Sequence, residues 1–349
     1  MTDKYGSRFA STARADESFP PLPAAKAVVP KERWSPNRSS EHLDEAALAE
    51  DPIFGPDTVP SSSKLGPTGR PLPIFPEPPP LDHHGPATVI AMCNQKGGVG
   101  KTTSSINLGA ALAEYGRKVL LVDFDPQGAL SVGLGINPHE LDLTIHNLLM
   151  ERRTTLEDVL LKTNIPNLDL LPCNIDLAAA EVQLVNEVAR EQALSRALQP
   201  AMADYDILII DCQPSLGLLT LNALTAAHSV IVPLECEYFA LRGVALLTDT
   251  IAKVQDRLNP DLRLEGILAT MYDARTVHGR EVLTRVVEAF GDGVFHSVIG
   301  RTVRFPETTV AGEPITTYAS TSTGAKAYRQ LARELLCRPS RAQQAASRR

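Results

Sequence analysis

From residue 87 onward the chain alternates short, almost wholly apolar runs with longer stretches whose apolar residues recur every three or four positions. The runs 88–93, 118–123, 168–172, 207–211, 229–233, 264–270 and 294–298 are near-continuously apolar rather than strictly alternating. That pattern predicts strands buried on both faces. Residues 104–113 and 180–197 carry helical spacing, and further helices are expected between the strands. Buried strands separated by helices predict an α/β fold, a mostly parallel twisted sheet with helices on both faces. Right-handed crossovers then gather the C-terminal ends of the strands on one edge, where ligands bind.

The pattern is missing before residue 87, where 16 of the 27 prolines lie. Runs such as Pro76-Glu77-Pro78-Pro79-Pro80 exclude helices and central strands. Residues 1–86 are therefore expected to form a disordered Pro-rich arm. One island, residues 40–49, has a serine cap, early acids and spaced leucines, with the single tryptophan, Trp34, close by. It reads either as a docking segment that folds on binding or as a solvated tail with residual helicity. His83-His84 has no partner ligands nearby in sequence and reads as linker. Residues 338–349 carry four arginines and no acid, a loose basic tail. The folded domain is expected over 87–337.

Composition narrows the function. With 349 residues, 43% of them hydrophobic, the chain can bury a sizeable core. No apolar run approaches the roughly 18 residues of a transmembrane helix, and the N-terminus lacks the form of a signal peptide. The five cysteines are scattered without a Cys-x-x-Cys pair, which suits the cytosol. A net charge of −7 excludes a globally basic coat, so any DNA contact requires a local patch.

The chemistry concentrates in Asn94-Gln95-Lys96-Gly97-Gly98-Val99-Gly100-Lys101-Thr102-Thr103, set between the first strand and the first helix. Glycines let backbone N–H groups turn inward around phosphate oxygens, and the helix start adds free N–H groups and the positive end of its dipole. Lys101 is placed to reach the β- and γ-phosphates, Thr102 to ligate Mg²⁺ and Thr103 to hold the α-phosphate. The strict phosphate-loop pattern asks for glycine at residue 95, where this chain has Gln95, and Lys96 adds a second cation at the loop entrance. Asp211 ends a fully apolar strand, where a carboxylate can hold Mg²⁺. Asp123 and Asp125 end the second strand at the same edge; one can touch the metal shell and the other orient the attacking water.

These residues carry a resemblance. The loop, Asp123-Phe124-Asp125-Pro126-Gln127-Gly128 and Ile210-Asp211-Cys212-Gln213-Pro214-Ser215-Leu216-Gly217 resemble the three nucleotide motifs of the ParA (Soj) partition ATPases, which are P-loop NTPases of the deviant Walker A type. The likeness continues through residues 235–241, 270–276 and 301–307 and covers about 87–337. It implies ATP and Mg²⁺ sandwiched in a homodimer, with Lys96 reaching the partner's phosphates. It implies that Lys96, Lys101 and Asp125 act in hydrolysis and that Thr102, Asp125 and Asp211 attend the metal. Gly97, Gly98, Val99, Gly100, Thr103, Pro233, Met271, Tyr272 and Asp273 are implied nucleotide contacts, and Arg275 and Arg304 are implied to grip double-stranded DNA without sequence preference. The implied partner is a ParB-type centromere-binding protein, the implied location the cytoplasm and nucleoid, and the arm is a candidate for docking a polar scaffold. Two departures stand out. Gln213 replaces the family's proline after Asp-Cys, and the arm holds too much proline for a helix-turn-helix DNA reader. The rival readings are a membrane-cycling MinD-type ATPase, which needs a C-terminal amphipathic membrane helix, and a metabolic enzyme on the same fold.

Overall fold

The computed structural model describes residues 65–237 and 240–338. Seven strands form one sheet: β1 (Thr88–Met92), β2 (Val119–Phe124), β3 (Leu161–Lys162), β4 (Leu168–Leu171), β5 (Ile207–Cys212), β6 (Ser229–Glu235) and β7 (Arg263–Thr270). Their order is β3-β4-β2-β5-β1-β6-β7. Neighbours are parallel except β3, which pairs antiparallel with β4 at the edge.

Both faces are covered, which explains the unbroken apolar runs. Val89 and Ala91 enter one core layer, while Ile90 and Met92 enter the other. The first layer is closed by α3 (Ile145–Met150), α4 (Leu156–Val159), α5 (Leu177–Gln183), α6 (Ala193–Leu198), α7 (Leu218–Ala226), α8 (Ala240–Arg257) and α9 (Val277–Phe290). The second is closed by α1 (Lys101–Glu114), α2 (Ala129–Gly133), α10 (Arg304–Ala311), α11 (Ile315–Tyr318) and α12 (Thr323–Cys337). Tyr328, Leu331, Ala332 and Leu335 of α12 are buried in this layer.

Three expectations need correction. Residues 294–298 do not form a strand. Val294 bridges Ile267 and Ile299 N–H donates to Ala269 O, but between them the N–H groups of His296 and Ser297 donate to the buried Glu334 carboxylate at 2.7 and 2.8 Å. The helix over 180–197 is two helices with an irregular joint. The helical path is interrupted at Ala189, whose φ is 53°, and Asn222 Oδ1 captures the N–H of Leu194 at 3.1 Å, so both Leu184 and Leu194 reach the core.

The third correction concerns the expected arm. Residues 65–86 form a strap packed on the domain. Arg70 donates to the carbonyls of Gly291 (3.1 Å) and Val294 (2.6 Å), and Phe75 is buried edge-on to His296. Arg117 donates to Pro79 O, and His84 Nδ1 lies 2.7 Å from Asp206 Oδ2. Residues 1–64, with Trp34 and the 40–49 island, and residues 339–349 lie outside the described residues.

Candidate nucleotide-binding site

The loop from β1 to α1 is pinned at two points. Asn94 Nδ2 donates to Pro233 O of β6 at 2.6 Å, and its Oδ1 accepts the Lys96 N–H at 2.9 Å. Thr270, the last residue of β7, donates its hydroxyl to Val99 O at 2.8 Å. Between these anchors residues 95–98 are exposed. Gly98 and Gly100 take φ of 74° and 83°, the left-handed region where a side chain is strained. Gly100 caps α1 with no side-chain hydrogen bond, and the first turn holds no acid. The N–H groups there remain open to an anion. Lys101 is 6% exposed, and its ammonium donates to Lys96 O at 3.3 Å rather than to a carboxylate. With no ion-pair hydrogen bond to hold it, this ammonium can turn to a phosphate, so the cradle suits one.

The carboxylates divide by environment. Asp211 is fully buried at the end of β5. Thr102 donates to its Oδ2 at 2.6 Å and Ser105, three residues on along the same face of α1, donates to its Oδ1 at 3.0 Å. Burial pushes Asp211 up to about 6, opposed by those two hydrogen bonds and by Lys101. Asp123 lies opposite it on β2. Burial, and then the Asp211 charge, pushes Asp123 up to about 8. Both the N–H and the hydroxyl of Ser131 donate to Asp123 Oδ2, at 2.8 and 2.7 Å, so Asp123 anchors the start of α2. Asp125 is half-buried and accepts the Gln127 N–H at 3.0 Å. The charge of Asp125 acts on Asp211 and helps to raise it. Hard oxygen donors on Thr102 and Asp211 fit a magnesium ion.

Lys96 sits at the entrance, its side chain 47% exposed, with Nζ 3.0 Å from Glu235 Oε2 and 2.5 Å from Glu237 Oε2. Burial pulls its pKa down, but the hydrogen bonds to Glu237 and Glu235 outweigh this and raise it.

Residues 87–264 match the protein family described as an AAA domain. An uncharacterized protein of Mycobacterium tuberculosis is 66% identical over 283 residues, 81% of this chain and 88% of that protein. The sporulation initiation inhibitor protein Soj of Bacillus subtilis is 49% identical over 247 residues, 71% of this chain and 97% of Soj. The chain belongs to the ParA/Soj family of chromosome-partitioning ATPases. A solved structure from Mycobacterium smegmatis, named cobyrinic acid a,c-diamide synthase and holding an ATP analog and magnesium, is 47% identical with a TM-score of 0.64. It covers 72% of this chain and 94% of its own.

The other candidate residues lie in the loop and α1, beyond the end of β7, and on α10. Gly97 is exposed and Thr103 half-buried, its carbonyl accepting from Asn107 Nδ2 at 2.7 Å. Met271, with φ 51°, turns the chain out of β7, and Tyr272 is held by backbone bonds to Ile299 and Arg301. Asp273 is engaged by Arg275 at 2.9 and 2.8 Å, and the guanidinium holds its carboxyl down at about 2. Arg275 is almost fully exposed, and Arg304 pairs with Glu307 at 2.8 Å on the first turn of α10. Gln213, the departure from the ParA/Soj proline, approaches Glu181 Oε2 at 3.5 Å. Sequence reasoning missed Ser105, Glu235 and Glu237 as site residues. The i, i+3 spacing of Thr102 and Ser105 was a readable signal; the approach of β6 to the loop was not.

Proposed function

We propose that this chain is a partition ATPase that binds Mg–ATP in its 96–103 loop, closes as a homodimer over two nucleotides, and in that state grips double-stranded DNA without sequence preference. A ParB-type partner on a centromere site stimulates hydrolysis and releases the DNA. The protein works in the cytoplasm, associated with the nucleoid. The observation that carries this reading is the division between two lysines of one loop: Lys101 is buried beside Asp211, while Lys96 stands exposed at the entrance.

In this reading the loop N–H groups and Lys101 hold the phosphates, and Thr102 and Asp211 hold Mg²⁺. Bound Mg²⁺ supplies positive charge against the β- and γ-phosphate oxygens. Asp125 orients the attacking water, while Pro233, Met271, Tyr272 and Asp273 flank the nucleoside. Lys96 crosses to the partner's phosphates, and Arg275 and Arg304 neutralise DNA phosphates. Basal turnover is slow, because water positioning is incomplete until the partner binds.

The name of the Mycobacterium smegmatis structure favours a metabolic reading, a,c-diamide synthesis on cobyrinic acid. Against it stand Soj of Bacillus subtilis and a Caulobacter vibrioides chromosome partitioning protein ParA, which this chain matches over 97% and 95% of their lengths. A MinD-type membrane cycle requires an apolar helix face free for lipid, and α12 spends its apolar face on the core.

The test is binding to random duplex DNA in the apo, ADP and ATP states across a salt series. ATP-only, salt-sensitive, sequence-indifferent binding is expected. No DNA binding in any state overturns the partition reading, and ATP turnover driven by cobyrinic acid would establish the metabolic one. Lys96→Ala is expected to bind ATP yet stay monomeric by light scattering.

A further inference from the structure

Glu235 touches two cations at once. Its Oε2 lies 3.0 Å from Lys96 Nζ and its Oε1 accepts from Arg301 Nη2 at 3.2 Å. Its side chain is only 13% exposed, whereas those of Lys96 and Arg301 are 47% and 65% exposed. Glu237, on the next turn of chain, adds the second carboxylate on Lys96. Arg301 is fixed independently, since its N–H donates to Tyr272 O at 3.0 Å.

We propose that Glu235 and Glu237 are positioning residues that hold Lys96 within its own subunit, and that Arg301 is the counter-ion that lets it leave. The inference rests on the proposed cross-subunit role of Lys96. One ammonium cannot satisfy both its own carboxylates and a partner's phosphates, so dimer closure must break the contacts to Glu235 and Glu237. Glu237 is exposed and water takes over. Glu235 is nearly buried, and a carboxylate left there uncompensated would oppose release. Arg301 already holds its other oxygen and remains in place when Lys96 departs. The two partners of Glu235 therefore act with opposite sign on dimerisation.

The test measures the ATP concentration that half-converts the full chain to dimer, with ADP affinity of the monomer measured separately. E235Q/E237Q is expected to lower that concentration about fivefold, the scale of two part-exposed ion pairs. R301Q is expected to raise it, and the R301Q effect is expected to vanish in the E235Q background, as residues sharing one partner couple. ADP affinity separates an effect on closure from one on the loop itself, and a change in it that accounts for the whole shift overturns the proposal. E281Q/E288Q, which removes two exposed acids on α9, is the charge-matched control and is expected to leave the ATP requirement unmoved. An ATP requirement unchanged in E235Q/E237Q, or lowered equally by E281Q/E288Q, overturns the proposal while leaving the cross-subunit role of Lys96 intact. R301Q acting equally with and without Glu235 overturns the part given to Arg301. An ATP-dependent dimer of Lys96→Ala overturns the underlying reading and this proposal with it.

Discussion

Lys101 and Gly100 are neighbours with different physical burdens. Lys101 is buried, its ammonium donates to Lys96 O at 3.3 Å, and its charge acts on the buried Asp211, which leaves N–H donors for a phosphate. Removing it deprives the phosphates of a charge-assisted donor. Lys101→Ala is expected to weaken ATP binding at least about thirtyfold, roughly 2 kcal/mol. Titration with a fluorescent ATP analogue checks this. Gly100 is the reverse case. A Cβ there would meet Thr270 at 3.8 Å, an ordinary contact, so space is not the problem. Its φ of 83° is. Gly100→Ala is expected to cost about 1–2 kcal/mol of stability through backbone strain alone, read as a lower denaturant midpoint at unchanged slope. Both residues could be read from the sequence, because strand, glycine turn and helix must coincide for such a loop to work. The carboxylates at Lys96 could not, because Glu235 and Glu237 reach the loop only through the pairing of β6 with β1, about 140 residues away in the chain.

At the scale of elements, burial on both faces made six of the seven main runs legible, since consecutive apolar residues are needed to enter two core layers at once. The failures share a cause: backbone N–H groups captured by side chains from distant parts of the chain. Glu334 of α12 takes those of His296 and Ser297, and Asn222 of α7 takes that of Leu194. Residues 65–86 were missed for a different reason. Proline excludes regular structure but not packing, and a single buried aromatic gives no periodicity. The strap makes two predictions. Phe75, 7% exposed, is expected to cost about 3 kcal/mol when cut to alanine, measured by chemical denaturation of the whole chain. Beneath it, His296 has a buried Nδ1 with no hydrogen-bond partner among the described residues. Burial lowers its pKa, with Arg70 and Arg338 adding to the effect and Glu334 and Asp292 opposing it. The folded state then binds fewer protons than the unfolded one, so stability is present above the ordinary value of 6.5 and is lost as pH falls below it. Melting temperatures near about pH 5.5 and 7.5 should differ less for His296→Gln than for the parent chain.

For the whole molecule, the decisive quantity is the balance between overall and local charge. The chain carries a net charge of −7, which repels a polyanion at long range, so DNA affinity must come from short contacts that salt can screen. In the free protein those contacts are not open. Arg275 is spent on Asp273 and Arg304 on Glu307. Exposed pairs of this kind are weak, and a DNA phosphate competes for the same guanidinium. A single copy thus offers few phosphate contacts against an unfavourable field, whereas a dimer offers each of them twice, and linked contacts multiply rather than add. On the proposed function, nucleotide-dependent DNA binding then follows from dimerisation, with each arginine exchanging its carboxylate for a phosphate. Two substitutions on one turn of α10 then have opposite expected effects. Arg304→Glu should dimerise normally with ATP yet lose DNA, and its logarithmic salt slope should fall by about 2, one contact of about 0.9 from each subunit. Glu307→Gln frees Arg304 and should tighten DNA binding a few-fold at low salt, with the gain shrinking as salt rises. Fluorescence anisotropy on a labelled random duplex, read with ATP across the salt series, measures both. Unchanged affinity in Arg304→Glu would move the DNA face away from α10, and tighter binding by Glu307→Gln that persists at high salt would show that its effect is not release of Arg304.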